Sequence, residues 1–317
     1  MNTRKPIKDL KVGENIETVY LLRKKEMQKT KDNKPYLMLV FSDRTGMIEA
    51  RMWDNAEDAN SKVDAGSPVL VKGTVNSWKD NIQLKIDQIS AVPAGEFKMD
   101  DLIRSVENID EIFGSVKNYI SEISNKWLKL LADQFLDDEQ FMDRFKKAAG
   151  AKNWHNAYKG GLLEHTNEVM FIVDKVCGLY PQADRDLCLL GAFLHDIGKV
   201  LEIDSNTLEY TLEGGLIGHL PLGFEMVSDK INHMDGFPKD LASYVQHIIL
   251  SHHGEYQQQS PVLPKTLEAT IIYHADELVS QANAVKEIIQ SQSDNIREWS
   301  NFVSIKNRKY LLKKKGV

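Results

Sequence analysis

The stretch GAFLHDIGKV, residues 191–200, places His195 and Asp196 side by side at the end of an apolar run. An imidazole and a carboxylate can bind a metal ion or hold a hydrogen bond, so this pair is equipped for chemistry. Burying either group without a partner costs about 1 to 3 kcal/mol or more. The pair therefore predicts that other parts of the chain supply partners for it.

Polar side chains also interrupt the apolar faces of three further helix-like segments. His165 lies on the apolar face of LLEHTNEVMFIVDKV, His252 on that of YVQHIILSHHGE, and Asp276 on that of LEATIIYHADELV. Helical spacing points each of them inward. A single such histidine is more often a hydrogen-bonded core residue, but one shared cation satisfies all of them together. Imidazole and carboxylate without thiolate suit divalent Mn, Fe, Co, Ni, Zn or Mg.

The remaining histidines divide into candidates and surface residues. His219 follows a Gly-rich turn and begins a helical pattern, which makes it a plausible ligand, and His155 precedes the helix that carries His165. His233 and His247 lie in polar contexts, and His274 is two residues from Asp276, so it points away from that residue on a helix. We expect none of these last three to bind a metal.

Two regions of different periodicity must position these residues. From about residue 12 to 92, short alternating runs predict five strands, with a short polar helix between the third and fourth. This arrangement is typical of a small Greek-key barrel of the OB type. Further on, amphipathic segments of period 3.6 predict an all-α region. We expect a multidomain chain with an OB-fold barrel at 1–92, a linker at 93–104 and an all-α domain with a basic tail at 105–317.

Composition and charge limit the class of protein. The chain has 317 residues, 42% of them hydrophobic and 27% charged, which favours a soluble protein with two cores over a disordered or fibrous one. We expect no membrane partner and a cytoplasmic location, because no apolar run reaches the roughly 18 to 20 residues of a membrane span and no signal-peptide core is evident. Cys177 and Cys188 lack CxxC spacing and are expected to be core residues.

The predicted barrel is the mildly basic part of the chain. Residues 1–93 carry 16 basic and 13 acidic residues, whereas residues 94–317 carry 24 and 33. Small barrels bind single strands by stacking bases on exposed aromatic rings along a basic groove. The candidates for such stacking are Tyr36, Phe41, Trp53 and Trp78, of which we expect about half to lie in the barrel core.

The order of the polar residues carries a family resemblance. FLHDIGK, with a histidine before it and histidines and an aspartate after it, resembles the central motif of the HD-domain metal-dependent phosphohydrolases. With the front barrel and HNAYKGGLLEHT, the whole chain resembles the YhaM-type 3′-to-5′ exoribonucleases. The resemblance implies a helical HD fold and a divalent metal site, with two ions if all the histidines serve. It assigns His165, His195, Asp196 and Asp276 to a first ion, and Asp196 as a bridge, His219, His252 and His253 to a second.

Two of these residues have alternative interpretations. Neighbours on a helix are about 100° apart, so His253 can face inward together with His252 only if the helix ends near Gly254. Lys199, three residues after Asp196, can stabilise negative charge that develops on a phosphate. It can equally be a cation at a helix C-terminus, where the helix dipole favours it.

Two metal ions about 3.5 to 4 Å apart can lower the pKa of a bound water and hold the phosphate oxygens during an in-line attack. Asp196, as the bridging ligand, and Lys199 are therefore the expected catalytic residues. By the resemblance, His155 and Lys159 would contact the substrate phosphate, and manganese is the most expected metal.

The barrel and the metal site together predict a metal-dependent 3′-to-5′ exonuclease that releases nucleoside monophosphates from single-stranded RNA, and from single-stranded DNA as a further substrate. One alternative is a phosphohydrolase of nucleotides or cyclic nucleotides with a regulatory barrel; the absence of GYP after SHHGEYQQQSP weakens its cyclic di-GMP version. Another is a nucleic-acid-binding module with a structural metal site. Oligomeric state is left open, with a homo-oligomer allowed.

Overall fold

The computed structural model of the chain describes residues 5–78, 81–93, 97, 101–152, 156–291, 298–300, 302–303 and 306–312. The chain forms two compact units, Met1–Ser105 and Val106–Val317. Among the helices of the described residues, none is both long enough and apolar enough to cross a membrane.

The first unit contains a closed barrel of five strands in the order β1-β2-β3-β5-β4. Neighbouring strands are antiparallel except β3 and β5, which pair in parallel. The elements are β1 (Asn15–Lys29), β2 (Pro35–Asp43), β3 (Gly46–Met52), α1 (Ala56–Lys62), β4 (Pro68–Trp78) and β5 (Asn81–Ala91). The predicted OB-type barrel, with its helix between the third and fourth strands, is confirmed.

Alternate side chains of β2 fill the barrel. Leu37, Leu39 and Phe41 have no exposed surface, and the Phe41 ring packs on that of Tyr20 with centroids 6.1 Å apart. The two-residue period of a strand places Phe41 on this inner face. The prediction that Phe41 stacks on bases is therefore wrong, because its ring belongs to the barrel core.

The second unit is helical, as predicted. Pairing of β type among its described residues is limited to isolated bridges, such as that between Ile203 and Tyr210. The helices are α2 (Ile109–Ser121), α3 (Lys126–Leu136), α4 (Glu139–Lys147), α5 (Gly161–Cys177), α6 (Arg185–Leu194), α7 (Lys199–Glu202), α8 (Leu212–Leu216), α9 (His219–Asn232), α10 (Lys239–Ser251) and α11 (Leu267–Ser291).

The helix α2 begins a few residues after the second unit does. The Val106 N–H donates to Lys159 O at 3.0 Å, and α2 begins only at Ile109. This bond to a distant carbonyl holds the segment outside the helix, although Leu102 and Ile103 are buried as their apolar character requires.

Close packing of three helices brings their ends together. A Cβ on Gly191 of α6 would lie 2.5 Å from Ile272 Cδ1 of α11 and 3.0 Å from Ile248 of α10. Glycine therefore allows this approach, whereas any side chain here would have to displace the two isoleucine side chains. Because Gly191 lies one turn before His195, the close packing sits directly beneath the candidate ligands.

Candidate functional site

His195 and Asp196 lie where α6 ends. The helix stops at Leu194, and His195 is its C-cap, with its N–H donating to Gly191 O at 2.8 Å. Both side chains are buried, with 0% and 2% of their surface exposed. Because the chain turns at this point, two consecutive side chains can serve the same buried site.

A first group of polar side chains surrounds one oxygen of Asp196. Asp196 Oδ2 lies 3.4 Å from His195 Nε2 and 3.6 Å from His165 Nε2. His165 Nε2 also lies 3.3 Å from His195 Nε2 and 3.1 Å from Asp276 Oδ1. The inward positions of α5, the α6 end and α11 thus converge on one point.

A second group faces the other oxygen of the same carboxylate. Asp196 Oδ1 lies 3.4 Å from His252 Nε2 and 3.5 Å from His219 Nε2. His219 Nε2 is 3.1 Å from His253 Nε2, and the three histidines place their ligand atoms within 4.8 Å of one another. Asp196 therefore lies between two groups and offers one oxygen to each, as a bridging ligand requires.

The end of α10 explains how both His252 and His253 reach this group. The helix stops at Ser251, and Gly254 adopts a φ of +74°, which favours glycine. A Cβ on Gly254 would lie 2.2 Å from the ring of Tyr273. His253 therefore faces inward, because the 100° spacing of a continued helix no longer applies to it.

Four imidazoles of the site donate from Nδ1 to an oxygen atom, which turns Nε2 toward the two groups. Carbonyl and carboxylate oxygens only accept hydrogen bonds, so Nδ1 carries the proton and Nε2 presents its lone pair. The pairs are His195 with Ala192 O at 2.8 Å, His252 with Ile249 O at 2.8 Å, His253 with Gln258 O at 2.7 Å, and His219 with Glu202 Oε1 at 2.9 Å.

These residues fit a divalent cation. His219 and His253 point two Nε2 lone pairs at each other at 3.1 Å, an arrangement that repels unless a positive centre lies close by. Asp196 Oδ1 and His252 Nε2 are buried without a hydrogen-bond partner among the described residues. Leaving such atoms unsatisfied is costly, and a cation satisfies all four at once.

The surroundings keep the Asp196 carboxylate ionised and the His253 imidazole neutral. Burial alone would raise the pKa of Asp196, but Lys199 and His195 hold that pKa well below its usual range. Burial lowers the pKa of His253 to about 3, and the neighbouring imidazoles add to this effect. Ionised carboxylate and neutral imidazole are the forms that bind metals.

Lys199 lies beside the carboxylate of Asp196. It is the first residue of the four-residue helix α7, and its Nζ lies 2.6 Å from Asp196 Oδ2. Its ammonium group therefore contacts a candidate metal ligand, and its catalytic role stays a prediction. The Lys159 side chain is half-buried in the segment that enters α5, and its contact with phosphate stays a prediction. His155 lies outside the described residues, so its predicted phosphate contact also stays a prediction.

On the barrel, Tyr36 and Trp53 form a stacked pair. Their ring centroids are 4.7 Å apart with 26° between the planes, and 44% of Trp53 is exposed. Tyr36 OH also donates to Gln28 Oε1 at 2.5 Å, which fixes its ring. Trp78 is 60% exposed at the end of β4. Trp53 and Trp78 thus offer aromatic surface to a ligand, whereas Tyr36 supports Trp53.

Sequence reasoning missed two residues that contact the ligands. Glu202 accepts from His219, and the Ser280 hydroxyl donates to Asp276 Oδ1 at 3.2 Å. The spacing of Ser280, four residues after Asp276 on α11, could have indicated it. Glu202 lies three residues after Lys199, but α7 has only four residues and thus too little pattern to assign a face.

Comparison with known proteins gives two family matches and several relatives. Residues 162–280 match the HD domain family, and residues 21–92 match the family described as OB-fold nucleic acid binding domain. A 3′-5′ exoribonuclease YhaM of Listeria monocytogenes serotype 4b is 32% identical over 294 residues, covering 90% of this chain and 91% of that protein.

Two further relatives carry the same description. That of Listeria welshimeri is 33% identical over 294 residues, covering 90% of this chain and 91% of the relative. That of Geobacillus sp. strain WCH70 is 28% identical over 289 residues, covering 90% of this chain and 88% of the relative. The likeness therefore extends across both units.

Proposed function

This chain belongs to the family of YhaM 3′-5′ exoribonucleases, and from that premise we propose that it shortens single-stranded RNA from the 3′ end and releases nucleoside monophosphates. The observation that carries this proposal is the position of Asp196, which turns one oxygen to His165 and His195 and the other to His219 and His252. Two groups joined by one carboxylate suit phosphodiester hydrolysis. We place the activity in the cytoplasm as part of the same proposal.

The cofactor in this proposal is a pair of divalent ions, with manganese as the first candidate. The nitrogen and oxygen donors without sulfur support a borderline or hard ion. His165, His195, Asp276 and Asp196 Oδ2 would hold one ion. Asp196 Oδ1 and the three clustered histidines, His219, His252 and His253, would hold the other.

Bound ions would supply an activated water and neutralise the charge that develops on the phosphate. The chain's own residues prepare the site for this chemistry. The Nδ1 hydrogen bonds fix the imidazoles before substrate arrives, so little reorganisation is needed. Lys199 holds Asp196 through Oδ2 and places a positive charge within reach of a phosphate that approaches this carboxylate.

The barrel in this proposal binds the single strand. The exposed face of Trp53 accepts a base, since any base has a face that stacks on an indole. Tyr36 rests under Trp53 and holds it in place, and Trp78 offers a second ring. Stacking alone does not distinguish RNA from DNA, so we propose single-stranded DNA as a further substrate.

The test is a time course with one single-stranded RNA labelled at its 5′ end and the same RNA labelled at its 3′ end. With Mn²⁺, we expect the 5′ label to form a ladder of shortening products and the 3′ label to appear at once as mononucleotide. EDTA should abolish both. Single-stranded DNA and a cyclic dinucleotide are run in parallel.

Intact RNA beside a hydrolysed cyclic dinucleotide would contradict this proposal and favour the small-nucleotide phosphohydrolase. A mononucleotide released first from the 5′ label would contradict the direction of digestion. RNA that is bound but never cut at any metal concentration would favour the binding module with a structural site.

A further inference from the structure

Glu202 lies behind His219 and makes two hydrogen bonds to it. Its Oε1 accepts from His219 Nδ1 at 2.9 Å and from the His219 backbone N–H at 3.0 Å. Only 8% of Glu202 is exposed. A buried carboxylate with two bonds to one residue fixes both the ring and the backbone of that residue.

The fold brings α7 unusually close to the start of α9. A Cβ on Gly198, at the start of α7, would lie 2.1 Å from His219 O. Glu202 O in turn accepts from Thr211 N at 3.0 Å, which ties the far end of α7 to the segment leading into α8. The position of Glu202 relative to His219 is therefore set by backbone contacts on both sides.

His219 differs from the other imidazoles whose Nδ1 partner the structure describes. His195, His252 and His253 donate to backbone carbonyls, whereas His219 donates to a carboxylate. A charged acceptor raises the basicity of an imidazole more than a carbonyl does, because it stabilises positive charge on the ring.

The two groups also differ in charge. The first contains the carboxylate of Asp276 and shares that of Asp196, whereas the second adds three imidazoles, which carry no negative charge, to its share of Asp196. The direct ligands of the second group therefore neutralise less of the charge of a divalent cation than those of the first group do. The carboxylate of Glu202, one imidazole away, supplies the missing negative charge.

We propose that Glu202 is a positioning residue that sets the affinity of the second group, His219, His252 and His253, for a divalent cation. Glu202 fixes the ring of His219 and adds negative charge behind it. This inference rests on the two-ion site of the proposed function. It predicts that loss of the Glu202 charge weakens binding of the ion in the second group and leaves binding of the ion in the first group unchanged.

The experiment measures Mn²⁺ binding to the metal-free, full-length protein by calorimetry and by the electron paramagnetic resonance of bound Mn²⁺, without RNA. The variants are Glu202→Gln, which keeps size and removes charge, and Glu213→Gln, which neutralises an exposed carboxylate on α8 as a control. Wild type and control should bind two ions and show the signal of a coupled pair.

Glu202→Gln should bind the first ion within about twofold of the wild-type affinity and the second about 10- to 100-fold more weakly, as loss of such outer contacts typically does. Its coupled-pair signal should appear only at higher Mn²⁺. If Glu202→Gln binds both Mn²⁺ ions as tightly as wild type does, the proposed role of Glu202 is wrong. It is also wrong if the variant binds both ions more weakly by the same factor.

A second variant keeps the test decisive if Glu202→Gln does not fold, as judged by circular dichroism without metal. Glu202→Asp keeps the charge but shortens the side chain. It should weaken binding of the second ion only, and by a smaller factor than Glu202→Gln does. Equal weakening of both ions in Glu202→Asp would again overturn the inference. Two ions in the wild type with no effect at Glu202 would leave the proposed reaction standing, whereas fewer than two ions in the wild type would contradict the two-ion site itself.

Discussion

Lys199 Nζ lies 2.6 Å from Asp196 Oδ2, and both side chains are largely buried. Burial alone would lower the pKa of Lys199, but the charges of Asp196 and Asp276 and the hydrogen bond to Asp196 together raise the pKa. The ammonium group is therefore charged, and it lies beside the carboxylate that joins the two groups of candidate metal ligands. A phosphate at this position would carry its developing negative charge close to Lys199.

Removing the positive charge of Lys199 should slow turnover without loss of metal binding. We expect Lys199→Met to lower kcat by about 100-fold, the size of effect seen when one stabilising donor is removed, with Mn²⁺ affinity nearly unchanged. Single-turnover RNA hydrolysis and Mn²⁺ titration measure the two effects separately. Lys230→Met is the control, since Lys230 pairs with Asp138. Unchanged kcat in Lys199→Met would contradict a catalytic role.

Trp53 should contribute to binding of the single strand. Loss of one stacked base costs about 1 to 3 kcal/mol, so we expect Trp53→Ala to weaken RNA binding by roughly 5- to 150-fold. Fluorescence anisotropy with labelled single-stranded RNA measures this. Met47→Ala removes an exposed apolar side chain of β3, the strand that directly precedes Trp53; 63% of Met47 is exposed, and its loss should change the Kd little. Equal effects of the two variants would exclude a specific platform at Trp53.

Gly254 should be intolerant of any side chain. Its φ of +74° opposes alanine, and so does the Tyr273 ring, which would lie 2.2 Å from an added Cβ. We expect Gly254→Ala to lower the free energy of unfolding by about 2 kcal/mol or more. Gly114→Ala in α2 meets nothing within 4 Å and should instead stabilise by about 0.5 to 1 kcal/mol. Thermal unfolding checks both, and a stable Gly254→Ala protein would show that the turn can rearrange.

Asp138 should contribute to loss of stability in acid. Its side chain caps α4 by accepting from Phe141 N, and this bond, with help from Lys230, holds the pKa of Asp138 below the usual value of an aspartate. A depressed pKa stabilises the fold at pH values above the unfolded-state pKa, and this stabilisation is lost as pH falls through the folded-state value. Asn also caps helices but does not titrate.

We therefore expect wild type to lose more stability than Asp138→Asn between about pH 5 and pH 2, with the two proteins converging at the acid end. Urea unfolding at a series of pH values measures the difference. Parallel pH profiles in the two proteins would show that Asp138 does not contribute.

Much of this architecture follows from local pattern. The alternation in the first 92 residues and the helical period beyond them arise from burial of one face, so strands and helices could be predicted. Six residues of the site stood out because each placed a polar group on an apolar face or at the start or end of a helix, whereas His253 came only from the family resemblance; the six are His165, His195, Asp196, His219, His252 and Asp276.

Other features depend on contacts that no local pattern encodes. Phe41 lies in β2 and Trp53 directly follows β3, and only the tertiary structure of the barrel places one ring inside and the other outside. His253 joins the site because α10 ends at Ser251 and Tyr273 covers Gly254. Glu202 meets His219 through an approach of two backbones at Gly198, which is a tertiary contact.

The most direct test of RNA hydrolysis at a two-ion site is the turnover of single-stranded RNA by Asp196→Asn and by wild type in excess Mn²⁺. RNA binding is measured on the same preparations. Asparagine keeps the shape but cannot bridge two cations as a charged carboxylate does, so several kcal/mol of transition-state stabilisation should be lost. We predict a fall in turnover of about 1,000-fold or more, with the Kd for RNA within about threefold of wild type. Turnover near the wild-type rate would contradict a reaction at the His and Asp cluster.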